Sequence, residues 1–412
     1  MVVRLLVAVG CVGGAAVFVQ PALAAPSCGG HAATIVGTAG DNTLHGTGGR
    51  DVIVGGRGGD EIYGHGGRDL VCGGGGGDRI QGGVGFDALY GNDGGDRVDG
   101  DSGSDLVSGG GGSDSLFGEA GDDRLRGGGR LDWMRGGPGD DRMHGGPGND
   151  RFYPGSGDDV YEGGSGAMGD ELRYGHWAYP VVVDFAGVSK DRPGDRDLIR
   201  DIEFVYGSRG DDSIAGNALR NRFFGGGGDD VIEGRGGDDF LFGEGGDDEV
   251  RGGPGRDHFY DYGYDASGFP LPSGNDILIG GDSNDSLVIG NGANSVHGGA
   301  GSDWFIGQTD TESETVSVDL AAGVATVGGE PNTVAGVENA RGQCTELFGD
   351  TGPNHLICYP PPTGSGSVDG RGGDDTLEAE NGDADGGPGF DRCHAATVVN
   401  CEATFRLAAL PR

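Results

Sequence analysis

The sequence predicts an all-β protein: a parallel β-roll or β-helix solenoid of nonapeptide repeats with interspersed β-strand cassettes. Three observations carry this reading. Residues 37–162 divide without a gap into fourteen nine-residue units of the form GGxGxDxUx, with U apolar. All but the last, which opens on Pro154, begin with glycine, and the fourth position is glycine everywhere except Arg130. The eighth position is apolar in each unit, from Leu44 and Ile53 through Met134 and Met143 to Phe152 and Tyr161, whereas its neighbours are mostly polar, as in Arg79 and Gln81 or Arg124 and Arg126. Finally, 97 of 412 residues are glycine and only 7% are aromatic, a composition unsuited to a compact globule but suited to a repeat architecture.

Each unit supplies half a coil: a glycine-rich turn, then a short strand. Side chains alternate faces along a strand, so the eighth residue points inward and positions seven and nine point out. Two units, 18 residues, close one turn, and successive turns stack roughly 4.8 Å apart. The core is thin. One medium apolar side chain per unit contributes about 1.5–3 kcal/mol. Ordering the backbone costs roughly 1–2 kcal/mol per residue, and glycine loses the most freedom.

Taken in order, Met1–Ala24 has the form of a secretory signal: Arg4 at the start, the apolar run Leu5–Val19, and Ala22-Leu23-Ala24 as a small-residue cleavage pattern. The run is shorter than the roughly 20 residues a membrane helix needs, and no other stretch could span a bilayer. The expected mature chain is therefore soluble and exported. Residues 25–36 form an N-terminal cap.

The first array, 37–162, sets the chemistry. Its sixth positions are Asn42, Asp51, Asp60, Asp69, Asp78, Asp87, Asp96, Asp105, Asp114, Asp123, Asp132, Asp141, Asp150 and Asp159. Stacking brings each carboxylate near those one turn away, as Asp51 near Asp69. A metal-free coil would be unstable or disordered, so something must join the carboxylates. Calcium fits: a hard cation taking six to eight oxygens from carboxylates and backbone carbonyls. The net charge of −38 also favours bound divalent cations; roughly twenty ions would bring about +40. The same charge argues against nucleic acid and anionic membrane surfaces as partners. A glycine-rich linker has no reason to hold aspartate and an apolar residue in ninefold phase. A metal-free solenoid is the other alternative.

Residues 163–206 break the phase and read as a β-strand cassette, with Val181, Val183 and Phe185 alternating with Val182 and Asp184, then Ile199, Ile202 and Phe204. A second array, 207–260, has sixth positions Asp212, Asn221, Asp230, Asp239, Asp248 and Asp257. Residues 261–270 form an aromatic bulge, adjoining Tyr260 and holding Tyr262, Tyr264 and Phe269; packing is the expected role, stacking on sugars the alternative. A third array, 271–306, carries Asp276, Asp285, Asn294 and Asp303. Each asparagine lacks the charge and should bind metal more weakly. Residues 307–341 repeat the cassette: Val316, Val318 and Leu320 alternate with Ser317 and Asp319, and Val337-Glu338 parallels Ile202-Glu203. Both cassettes are expected to form longer strands that continue or bend the stack.

Residues 342–412 hold degenerate repeats and a disulfide-bonded cap. Asn354 and Leu356 keep the phase, Pro360-Pro361-Pro362 interrupts it, Asp375 with Leu377 is a clean unit, and Asp391 is followed by Cys393 at the inward position. Asn381, Asp383, Asp385 and Gly386 imitate the start of an EF-hand loop, but Arg392 stands where a bidentate glutamate is needed; a worn repeat is expected. Removal of Cys11 with the signal leaves six cysteines, an even count that suggests disulfides in an exported chain. Cys344 with Cys358 and Cys393 with Cys401 are the close pairs, leaving Cys28 with Cys72. Along a continued coil the last two would stand about 11–12 Å apart, beyond disulfide reach. The cap must therefore fold back. Zinc is the alternative, but no CxxC spacing supports it.

Units such as Gly225-Gly226-Gly227-Gly228-Asp229-Asp230-Val231-Ile232 resemble RTX, or haemolysin-type, calcium-binding repeats. The run from Cys28 and Ala33-Thr34-Ile35-Val36-Gly37 to Val71-Cys72-Gly73 is similar to that of secreted actinobacterial repeat proteins. The resemblance implies a parallel β-roll that folds on calcium outside the cell, bridged by the sixth-position aspartates named above. Many relatives carry catalytic domains; this chain has no room for a separate one. No HExxH, GxSxG or phosphate-binding loop occurs, and no enzyme is expected. The expected role is structural, adhesive or interactive, with a surface glycan or a protein as partner. The alternative is a carbohydrate-active enzyme (polysaccharide lyase, epimerase or glycosidase) on a calcium-stabilised β-helix, its cleft near His176, Trp177, Tyr179 and the 260–269 tract.

Overall fold

The computed structural model describes residues 26–166, 169–187, 189–190, 195–261, 274–308, 315–359, 365–401 and 403–404. Met1–Ala24, Tyr262, Tyr264, Phe269 and Pro360–Pro362 lie outside the described residues. Among the described residues all regular elements are strands, and no helix is long and apolar enough to cross a membrane. The chain winds as a parallel solenoid. On one face Ile53 pairs with Val71 and Val71 with Leu89. On the other, Ile62 pairs with Ile80 and Ile80 with Val98. Nine strands, from Ile35–Val36 to Leu198–Arg200, build the first face in rung order.

The eighth-position residues form the core ladder: Ile53, Ile62, Val71, Ile80 and their successors to Tyr161 are at most 2% exposed. Apart from Val52, their flanking neighbours are partly or fully exposed, as the strand alternation requires. The ladder continues through Phe223, Ile232, Leu241, Val250 and Phe259 to Leu377 and Cys393, all buried.

The N-terminal cap does fold back. Ser27–Cys28 and His31–Ala32 form an antiparallel hairpin turning on Gly29 and Gly30, both with positive φ. The hairpin carries Cys28 onto Cys72, with 5.7 Å between Cα atoms. In the chain-entropy account, closing this loop disfavours the unfolded chain by about 4 kcal/mol. Cys344–Cys358 and Cys393–Cys401 close the two shorter loops.

The cassettes are antiparallel meanders rather than lengthened coil strands. In the first, the chain steps ahead to place Val182–Asp184 beneath the later strand Ser213–Ala215. It then doubles back, Lys190 bridging antiparallel to Val182 and Ser189 to Asp197, before Leu198–Arg200 settles in parallel on Val160–Ser165. The second repeats the plan. Val316–Asp319 pairs antiparallel with Val324–Val327, which pairs antiparallel with Glu330–Ala335, and this last strand lies parallel on Ser295–Ala300. Even the fastenings recur: Arg235 Nη1 lies 2.7 Å from Asp184 Oδ1, and Arg371 Nη1 2.7 Å from Asp319 Oδ1. Short strands result because each meander occupies a rung of the stack, which is only a few residues wide.

In the second array, outward rings add a ladder of their own. Tyr206, Phe224, Phe242 and Tyr260 stand on successive rungs with ring centroids 4.5, 4.5 and 4.7 Å apart. Their faces cover one another along the ladder, and Phe242 covers one face of Tyr260. Arg173 lies over Tyr206 at 4.1 Å. This packing thickens a core that is otherwise one side chain deep.

Candidate metal centre

Glycine at the first position of each unit lets the chain turn tightly against the next rung, and the residue five places on drops its carboxylate into the turn. Each predicted aspartate, from Asp51 through Asp303 to Asp375 and Asp391, is buried. One oxygen of each is fixed by the rung before it. Asp69 Oδ1 accepts the backbone N–H of Asp51 at 2.8 Å, Asp78 that of Asp60 at 2.8 Å and Asp87 that of Asp69 at 2.7 Å. The same bond recurs at Asp230, Asp239, Asp248, Asp257, Asp276, Asp285 and Asp303. In the tail, Asp375 accepts from Asn354 and Asp391 from Asp375.

The second oxygen is left over. In Asp60 through Asp150, and again in Asp230, Asp239, Asp248, Asp257, Asp276, Asp285, Asp303 and Asp375, Oδ2 is buried without a hydrogen-bond partner among the described residues. Three sites differ. Asp51 Oδ2 accepts from the Thr47 amide and hydroxyl, Asp159 Oδ2 from the Tyr161 hydroxyl at 2.9 Å, and Asp212 Oδ2 from the Ser208 amide.

The cassettes add ligand-type groups that the nonapeptide pattern missed. Asp170 accepts from the Asp150 amide and Asp197 from that of Asp159, and each keeps a buried Oδ2. Glu203 Oε2 accepts from the Asp170 amide at 2.9 Å, and Glu338 Oε2 from the Asp303 amide at 2.8 Å. The signal was present as the truncated motif Asp170-Glu171-Leu172-Arg173 and Asp197-Leu198-Ile199-Arg200, an aspartate two places before an inward residue. A second, exposed column also escaped notice. Fifth-position Asp140 accepts the amide of Asp158 at 2.9 Å, and Asp229 that of Asp247 at 2.9 Å.

Burial dominates the electrostatics. It pushes the carboxyls of Asp96, Asp105 and Asp132 up to about 7, and of Asp141, Asp230, Asp248 and Asp285 to about 8. The backbone amide on each pulls the other way, and aspartates one rung away add to the rise. Asp261 is raised furthest, by burial and by its contact with Asp276.

Does this edge suit a cation? Among the described residues no three His, Cys, Asp or Glu side chains converge. Oxygens do converge. A Cβ on Gly100 would lie 2.7 Å from Asp105 Oδ2 and 2.8 Å from the Gly118 carbonyl oxygen, and one on Gly82 would meet Asp87 Oδ2 and the Gly100 carbonyl at 2.8 and 2.9 Å. One spare carboxylate oxygen plus backbone carbonyls, repeated rung after rung, is the donor chemistry of a hard divalent ion. Gly100→Ala will fill one such cradle. It will destabilise the calcium-loaded protein by about 1–3 kcal/mol, read as a lower Tm. Gly75→Ala, where nothing lies within 4 Å of the added carbon, will leave Tm nearly unchanged.

His176 and Trp177 pack against each other. Trp177 is buried, its indole N–H donates to His176 Nε2 at 2.6 Å, and its ring packs edge-on against Tyr174, while Tyr179 is exposed.

Stacked half-coils with an oxygen-lined turn edge place the molecule among β-rolls organised around a hard cation. The chain matches the RTX calcium-binding nonapeptide repeat (4 copies) over residues 36–71, 72–107, 99–129, 126–161, 201–218, 224–259, 273–305 and 288–310. These segments cover more than half of it, and the protein belongs to this family of calcium-binding repeat proteins. No curated protein matches the chain.

Proposed function

We propose that the protein is secreted and folds on calcium outside the cell, where the rigid rod serves a structural, adhesive or interaction role. The observation that carries this reading is the run of buried Oδ2 atoms without partners. An unsatisfied buried polar atom costs about 1–3 kcal/mol, more when charged. A chain that repeats this cost at rung after rung needs a ligand that removes it. The residues that would hold calcium are the sixth-position aspartates of the three arrays, with Asp170 and Asp197 extending the set into the first cassette. Backbone carbonyls of the turn glycines would complete each shell. Once bound, calcium supplies charge neutralisation and a link between rungs, so binding free energy becomes folding free energy. Low cytosolic calcium would keep the chain unfolded for export, and the signal-like Met1–Ala24 agrees with that route. Limited proteolysis tests the reading: in millimolar calcium the purified chain will resist a protease for at least tenfold longer than in chelator. Equal digestion rates would reject it.

A further inference from the structure

The chain carries 66 acidic and 28 basic residues, yet one patch of its surface reverses that balance. Near the end of the nine-stranded face, a groove is lined by Arg124, Arg126, Arg142, His144 and Arg200. Glu162 is the one carboxylate lining it, and it is already engaged by Arg200 at 2.9 Å and His144 at 3.6 Å. The strand register sets Arg142 directly beside Arg124 and His144 beside Arg126. Like charges facing each other across strands are destabilising.

Several arginines elsewhere on the sheet faces are absorbed internally, whereas Arg79 stands between Glu61 and Arg97 and Arg135 has no arginine beside it in register. Arg97 lies 4.0 Å from the centre of the Phe117 ring, Arg151 and Arg173 share Glu171, and Arg371 holds Asp319. Arg124, Arg126 and Arg142 are exposed, and among the described residues none makes an ion pair. The flanking fifth-position Asp122, Asp140 and Asp158 direct an oxygen to the backbone amide of the next rung instead.

We propose that this groove binds a linear anionic polysaccharide, with its sulfate or carboxylate groups seated on Arg124, Arg126 and Arg142. Guanidinium forks bind both groups through paired hydrogen bonds. Rungs roughly 4.8 Å apart turn the arginines into a short row of cations along the solenoid axis. No Phe, Tyr or Trp lines the groove, so it lacks the large stacking platforms that hold single-stranded bases. A duplex laid across this face would set phosphates against the flanking Asp122, Asp140 and Asp158. An acidic peptide gains most by adding to a sheet edge, and this is a sheet face with its amides already paired. The proposal rests on the calcium-folded state, because calcium at the flanking turns removes the long-range repulsion an anionic chain would meet.

The test is surface plasmon resonance in millimolar calcium on immobilised heparin, hyaluronan, neutral dextran and duplex DNA, with circular dichroism on the same samples. Heparin or hyaluronan will bind; the sulfated and the carboxylate-only chain tell which anion is read. The double variant Arg124→Ser/Arg142→Ser will weaken that binding about tenfold or more. Arg124→Lys/Arg142→Lys will retain part of it, and Arg256→Ser, at an exposed turn elsewhere, all of it. Absence of binding by the folded protein overturns the proposal. So does undiminished binding by the double serine variant, equal binding of dextran, or equally tight DNA binding with the same loss. If circular dichroism shows a fold independent of calcium, the folding reading fails, while the binding comparison still decides the groove.

Discussion

Withdrawing calcium at neutral pH will abolish most of the far-UV β-sheet signal, and restoring millimolar calcium will return it. The expected change is large because the same deficit recurs in every unit along the rod. Each unit buries one core side chain, such as Val98 or Leu116, worth about 1.5–3 kcal/mol. It must order nine residues, several of them glycine, and also desolvate a carboxylate with no partner for Oδ2. At free calcium 100 times its dissociation constant, an independent site adds about 2.7 kcal/mol. With sites repeated along three arrays, the total decides whether the rod exists. Far-UV circular dichroism during chelator titration measures this. A β signal that persists unchanged in excess chelator would falsify the coupling.

Acid will do the reverse of what it does to most proteins. The unfolded chain ionises its aspartates near 3.8, whereas in the metal-free fold those of Asp69 and Asp123 ionise at about 6 and those of Asp141, Asp230 and Asp248 at about 8. Between these values the fold holds more protons than the unfolded chain. Raising pH therefore disfavours the metal-free fold, by about 1.4 kcal/mol for each unit by which one carboxyl is raised. In chelator, structure will be greatest near pH 4 and will be lost as pH climbs through 6 to 8. In calcium the trend inverts, since protons compete for the same oxygens and affinity falls as the solution is acidified. Circular dichroism across pH, with and without calcium, checks both signs. Identical pH profiles in the two conditions would rule out a shared site for proton and metal.

The arrays were legible in the sequence because turn, carboxylate and core residue are locked nine residues apart, so each unit predicts the next. Asp96 and Val98 could be placed from Asp78 and Ile80 alone. The Cys28–Cys72 pairing was legible as the remainder after the two close pairs, and the distance along a straight coil then required the cap to fold back. The meanders were not. Val182–Asp184 is three residues long and its antiparallel partners are single bridges, which leave no periodic trace. Asp170 escaped because it stands 20 residues after Asp150 rather than 18, and Asp197 because Arg192 and Asp195 occupy the positions of the turn glycines. The ring ladder from Tyr206 to Tyr260 escaped for another reason: it appears only at the spacing of a full coil, on the outward side, where single positions read as surface. The arginine groove escaped likewise, since Arg124 and Arg126 looked merely polar until the register set Arg142 and His144 beside them.

The twin cassettes bear on how such a chain can change length. Glu203 and Glu338 make the same bond, as do Arg235 with Asp184 and Arg371 with Asp319. The two junctions are thus interchangeable parts. A recombination between them would delete or duplicate everything in between and still rejoin matching ends. The product would be a shorter or longer molecule whose N-terminal hairpin and C-terminal bridges are untouched. Rod length could then vary by large inheritable steps without redesign of a single interface.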